Sequence, residues 1–157
     1  NFFEQLQAIC LEAGVKVVHT PNIKKAPING STRWLGDTPL IQLSGRYKRN
    51  DSFWFTFFHE AGHIILHGKK DIFLEDVDYS DKDLAKEEEA NSFAIKWTLS
   101  NEQEEEIVQR YSLTEDDVLE FAEKFNTHPA IIIGRLHHKK LLHYSIGRQF
   151  IEPVELA

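Results

Sequence analysis

Residues 53 to 68, FWFTFFHEAGHIILHG, constrain the fold more than any other stretch of the chain. The run is too long and too apolar for an ordinary strand, yet it carries His59, Glu60, His63 and His67. The pattern predicts a buried helix that ends near Gly68. A glutamate hidden among aromatic and β-branched neighbours is costly unless it has a partner or a task.

HEAGH supplies such a task. On a helix, residues four apart are offset by about 40° and about 6 Å of rise, so the imidazoles of His59 and His63 can converge on one cation, and zinc suits such a pair. Glu60 can reach a water at that cation without being a ligand and can take its proton. The competing reading is two core histidines with a salt-bridged glutamate.

A catalytic zinc usually has three protein ligands and one open position, so a third group is required. His67 lies about 12 Å along the axis from His59, beyond what one zinc with bonds near 2 Å can span on one helix. HExxHxxxH also lacks the longer HExxHxxGxxH spacing of the metzincins. His67 is therefore assigned to helix-end capping or packing. In KEEEANSFA, on a second long helix, Glu87, Ala90, Asn91 and Ala94 form a stripe in which one carboxylate neighbours two small residues that permit close helix approach. Glu87 is the favoured third ligand, and Glu88, which shares a face with Leu84 and Ile95, is the alternative. Glu89 falls with Ser92 and Lys96 on a more polar side. Asn91 could orient His63 or His59 through a hydrogen bond to the ring nitrogen remote from the metal; the alternative is an exposed helix amide.

The other elements follow from punctuation. Phe2, Leu6, Ile9 and Ala13 make a helical stripe stopped at Gly14, Val15 to Val18 reads as a strand, and Pro21, Pro27 and Gly30 mark a loop. Arg33 to Leu35 and Leu40 to Leu43 flank a GDTP turn and predict a hairpin. Residues 69 to 80 read as an acidic loop. Ser80 to Asp83 opens the second long helix, which runs to about Leu99. Ser100 to Gln103 opens a third, Thr114 to Asp117 a fourth ending at Phe125, and Pro129 a fifth ending near His138. The expected architecture is a single α+β domain over residues 1–157, with a small antiparallel sheet and helices bundled around the HEAGH helix, a zincin-like arrangement.

Composition bounds the function classes. The 157 residues are 41% hydrophobic with 11 Phe, enough for a core without disulfides, and the lone Cys10 excludes an internal disulfide. A reducing, cytoplasmic compartment is expected. No apolar run approaches the length of a membrane span. The net charge of −7 concentrates in residues 75 to 125, which hold 17 acidic and 5 basic groups. Such a segment repels phosphate backbones, so direct nucleic-acid binding is not expected. The chain starts at Asn1 and contains no methionine, which raises the expectation of a fragment of a longer protein.

FTFFHEAGHIILHG followed by EEEANSFA resembles the ImmA/IrrE family of zinc-dependent metallopeptidase domains, with its gluzincin-type HExxH…E pattern. LIQLSGRYKRNDSF and HPAIIIGRLHHKKLL resemble it as well, and the similarity covers approximately residues 5 to 145. The resemblance implies His59, His63 and Glu87 as ligands of one zinc ion per chain and Glu60 as general base. It implies a protein substrate, a repressor or related regulator of bacterial stress, phage or mobile-element responses. An amino-terminal helix-turn-helix DNA-binding domain in the full chain, and an antitoxin-like role, are further implications. AIKWTLS departs from the family's leucine-rich stretch ending in Met-Pro, which bears on pocket shape.

Zinc peptide hydrolysis also needs a donor for the oxyanion. His128, Tyr144 and Arg135 are the candidates, with an N-cap role for His128 as its alternative. Ile41 to Ser44 could pair with an extended substrate if it forms a sheet edge. Residues 114 to 138 have a helix-turn-helix rhythm, against which the acidic first half argues. Two further functional readings are a regulatory module whose metal site does not hydrolyse and a metal-free remnant of the fold.

Overall fold

The computed structural model describes residues 1–21, 29–44, 49–69, 73–74 and 81–156, the side chains of 73–74 and 81–82 excepted. Helix α1 (Phe2–Glu12) starts on Asn1, whose side chain accepts a hydrogen bond from Phe3 N. It stops at Gly14, φ +83°, where the amides of Val15 and Gly14 donate back to Cys10 O and Leu11 O. That closure needs a left-handed residue, which glycine adopts freely. The buried face is rotated from the expected Phe2–Leu6–Ile9 stripe. Phe3 and Leu6 are buried, Cys10 packs beside them and Ile9 is exposed, because the Phe3 ring packs edge-on against His19 of the first strand.

Strands β1 (Lys16–Thr20), β2 (Gly30–Leu35), β3 (Thr38–Ser44) and β4 (Phe73–Leu74) form one sheet in the order β1-β3-β2-β4. The hairpin forms as expected: Leu35 pairs with Thr38 across a two-residue turn whose first residue, Gly36, has φ +60°. The sheet is mixed, however, and not antiparallel, since β1 runs parallel to β3 with Val17 opposite Ile41. No tight turn joins those two strands, so nothing forces them antiparallel. Strand β3 lies between β1 and β2, so Ile41 to Ser44 is an interior strand and offers no edge to a substrate. Strand β2 starts at Gly30, earlier than the expected Arg33, and β4 pairs with it at Ser31 and Thr32.

Helix α2 (Asn50–Leu66) carries HEAGH, and α3 (Asp81–Thr98) carries EEEAN. The start expected for α3 at Ser80, most of the acidic loop at 69–80, and Pro27 lie outside the described residues. Helix α4 (Asn101–Val108) begins on a reciprocal Ser100–Gln103 cap, and α5 (Glu115–Lys124) on a Thr114–Asp117 cap. Helix α6 (Pro129–His138) begins with Pro129 after His128. None of the described helices is long and apolar enough to cross a membrane.

Two hydrophobic clusters meet at α2. One joins α1, the sheet, Phe53, Phe57 and Leu156; the other joins Leu99, α4, α5 and α6, and Trp54 packs against both. Residues Ala130 to Gly134 of α6 are all buried, so the first half of the second helix of the helix-turn-helix rhythm packs into the core. A carboxy-terminal strap is an addition to the expected elements. It contains a short 3-10 turn, Arg148–Phe150, and returns to the start of α2, where Asn50 N donates to Glu152 O and Asn50 Nδ2 to Phe150 O.

Candidate metal centre

Glycine and alanine bring the two motif helices together. A Cβ on Gly62 would lie 3.1 Å from the Phe93 Cβ, and Ala90 and Ala94 are fully buried. That close approach places Glu87, on α3, opposite His59 and His63, on α2.

These three residues form a compact triangle. His59 Nε2 lies 2.9 Å from Glu87 Oε2, His63 Nε2 lies 3.0 Å from Glu87 Oε1, and the two Nε2 atoms are 3.1 Å apart. Edges of this length are what neighbouring ligands show around a cation with bonds near 2 Å. Asn91 Oδ1 lies 2.8 Å from His59 Nδ1. An amide oxygen only accepts, so His59 Nδ1 donates and its Nε2 turns a lone pair toward the carboxylate. Glu87 Oε1 is buried and has no aligned hydrogen-bond partner among the described residues, despite its proximity to His63. Two imidazole nitrogens and a carboxylate gathered at about 3 Å, one carboxylate oxygen among them without an aligned partner, make a donor set that fits a divalent cation.

Burial alone would lower the His59 pKa, but the adjacent Glu87 carboxylate and the charge of Glu60 outweigh it and raise it. At His63 burial prevails, reinforced by the neighbouring histidines, and the pKa falls despite Glu87. Burial would raise the Glu87 pKa, but the adjacent His59 and His63 imidazoles outweigh it and hold it at about 2. The carboxylate is thus kept as an anion inside the fold.

Glu60 follows His59 on α2 and is 1% exposed. Its Oε2 accepts from the Thr32 hydroxyl at 2.7 Å. Gly30, two residues earlier on β2, lies so close that a Cβ there would come within 2.6 Å of Thr56 Cγ2 and 3.1 Å of Glu60 Cγ. Thr32 and Gly30 were not among the sequence candidates. The available signal was a polar residue and a glycine on the inward positions of the strand that begins GSTRWL.

The remaining candidates separate. Asn91 reaches His59 and not His63. Glu88 is exposed, and the described metal-competent cluster contains Glu87 instead. His67 is the C-cap of α2, as expected, but its ring also lies 3.0 Å from His63 Nδ1 and 2.9 Å from Glu89 Oε2. Neither contact was anticipated. The repeat of the four-residue spacing, His59, His63, His67, was the legible sign.

None of the three oxyanion candidates contacts the triangle. His128 Nδ1 accepts from Ala130 N and caps α6. Tyr144 is exposed, with its ring tilted against that of His143. Arg135 donates to Leu99 O at 2.8 Å and reaches toward Glu104, at the far end of α3, about 16 Å of helix rise from Glu87. It lines a cavity of about 310 Å³ with Ser52, Phe55, Thr56 and Gly134. Thr56 is one helical turn from Glu60, so this cavity neighbours the centre along α2.

The family model for peptidase M78, the IrrE N-terminal-like domain, matches residues 10–137. The match spans α2 and α3 and every residue of the triangle. No curated protein matches the chain.

Proposed function

The chain belongs to the IrrE N-terminal-like peptidase M78 family, and from that premise we propose that it is a zinc-dependent metallo-endopeptidase. The observation that carries this reading is the convergence of His59 Nε2, His63 Nε2 and the two Glu87 carboxylate oxygens at 2.9, 3.0 and 3.1 Å, with Glu60 one residue from His59 on the same helix. A zinc ion held by the three would polarise the scissile carbonyl and acidify a water.

The chain's own groups do the rest. Glu60 takes a proton from the attacking water as its oxygen bonds to the carbonyl carbon, and gives that proton to the amine nitrogen as the C–N bond breaks. Thr32 fixes the carboxylate by donating to Oε2, and Asn91 holds the His59 ring. The cavity beside Thr56 is the proposed receptor for a substrate side chain. The substrate proposed is a cytoplasmic regulatory protein such as a repressor, with no direct contact between this chain and nucleic acid, consistent with the acidity of residues 75 to 125. Glu60→Gln is expected to retain zinc and lose cleavage of a co-expressed repressor or of a generic peptide substrate; retained cleavage sinks the mechanism.

One observation favours a second reading, a metal-bearing regulatory module that does not hydrolyse. Glu60 is almost fully buried between Gly30 and Thr32, which restricts its access to a substrate. Stoichiometric zinc together with intact repressors and intact peptide-library substrates would establish the module.

A further inference from the structure

The hydrogen bonds beyond the triangle form a chain that the metallopeptidase reading does not use. Glu89 Oε2 lies 2.9 Å from His67 Nε2, and His67 Nδ1 lies 3.0 Å from His63 Nδ1. A carboxylate only accepts, so His67 Nε2 donates to Glu89. In a neutral imidazole the other nitrogen then carries a lone pair, and His67 Nδ1 accepts from His63 Nδ1–H. His63 Nε2 is left with its lone pair toward Glu87, 3.0 Å away. The tautomer that a metal requires is thereby written into two residues outside the triangle. The chain spans both helices, since His67 ends α2 and Glu89 lies on α3.

We propose that Glu89 and His67 form a relay that fixes the tautomer and ring orientation of His63, so that both are positioning residues of the metal centre. The relay does for His63 what Asn91 does for His59. The geometry explains why two nearby polar groups are spent at the end of α2: the His67 side chain is 3% exposed, whereas Glu89 is 59% exposed and reaches in from solvent. The inference rests on the metal-site reading of the triangle, and outer partners of this kind typically govern about 10- to 100-fold in metal affinity.

The test measures zinc affinity of the full chain by competition with a chromophoric chelator, alongside the visible spectrum of the cobalt-loaded protein. Glu89→Ala is expected to weaken zinc binding about tenfold, and Glu89→Gln, whose amide oxygen can accept the same proton, less. Glu88→Ala removes the same charge one residue away and is expected to change nothing. His67→Phe keeps the ring but loses both nitrogens, and is expected to weaken binding at least as much as Glu89→Ala. Adding Glu89→Ala to it should then have no further effect, as expected of one chain. Because Glu89 is largely exposed, its variants should keep the metal-free stability of the parent, which separates positioning from folding. Equal affinities for the parent and Glu89→Ala, or equal losses for Glu88→Ala and Glu89→Ala, overturn the relay while leaving the triangle standing. A parent that binds no zinc overturns the triangle and the relay together.

Discussion

The Thr32 hydroxyl lies 2.7 Å from Glu60 Oε2 and 3.1 Å from the Glu60 carbonyl oxygen, so one side chain of β2 engages both the carboxylate and the backbone of the same α2 residue. Thr32→Val keeps the shape and removes this donor from a buried anion. The expected result is a stability loss of about 1–3 kcal/mol, read as a lower denaturation midpoint. Zinc content should be unchanged, and kcat for a peptide substrate should fall more than KM rises. Thr32→Ser should restore both. A Thr32→Val protein with parental stability and kcat would show that the contact positions nothing.

Gly30 makes the approach of β2 to α2 possible. A side chain there meets Thr56 Cγ2 at 2.6 Å and Glu60 Cγ at 3.1 Å. Gly30→Ala is expected to cost about 1–3 kcal/mol through overpacking and to displace Glu60. Thr56→Ser removes the nearer obstacle, so the double variant should regain part of the loss in urea denaturation. Additive losses in the pair would place the strain elsewhere.

The sequence signal was strongest where a local rule and a burial rule coincided. HEAGH declared its helix and the pairing of His59 with His63, because helical spacing decides which side chains on one helix can meet; the small residues around Glu87 marked one face of the second helix, and the family resemblance singled out Glu87 over Glu88. The caps at Ser100 and Thr114 were legible for the same reason, since a cap is a contact between residues three apart. Contacts between distant elements that no motif marks were not. Thr32 is 28 residues from Glu60 and Asn50 is 100 from Phe150, and no periodicity reports such pairings. The parallel pairing of β1 with β3 escaped for a related reason, as strand direction follows from connections and not from strand composition. His67 shows the limit from the other side. Its cap position was readable from Gly68, but its partner Glu89 depends on how α3 lies across α2.

Asp117 provides a test of α5 that is independent of the metal. The Thr114 backbone amide, then Arg110 and the Thr114 hydroxyl, hold its carboxyl below the ordinary value. A depressed carboxyl contributes stability that is present above the unfolded-state pKa and is lost as pH falls through the lower folded value. The urea midpoints of the parent and Asp117→Asn should therefore differ near neutral pH and converge under acid conditions below that of an ordinary aspartate. A difference that persists at the acid limit would assign the effect to packing.

Metal removal should be visible in stability without any knowledge of the substrate. A cation that binds only the folded triangle of His59, His63 and Glu87 stabilises it by RT ln(1 + [L]/Kd), about 4 kcal/mol at a thousandfold excess over Kd. For a chain of this size that is on the order of 10 °C in Tm. Adding a strong chelator to the zinc-loaded protein is expected to lower Tm by that order, and restoring zinc to recover it. Glu87→Ala should abolish the response, because the third ligand and its charge are gone. Glu60→Gln should preserve it, because that carboxylate lies outside the triangle. A chelator response that survives Glu87→Ala would place the cation elsewhere in the chain. A response lost in Glu60→Gln would make Glu60 a ligand and remove it as the base.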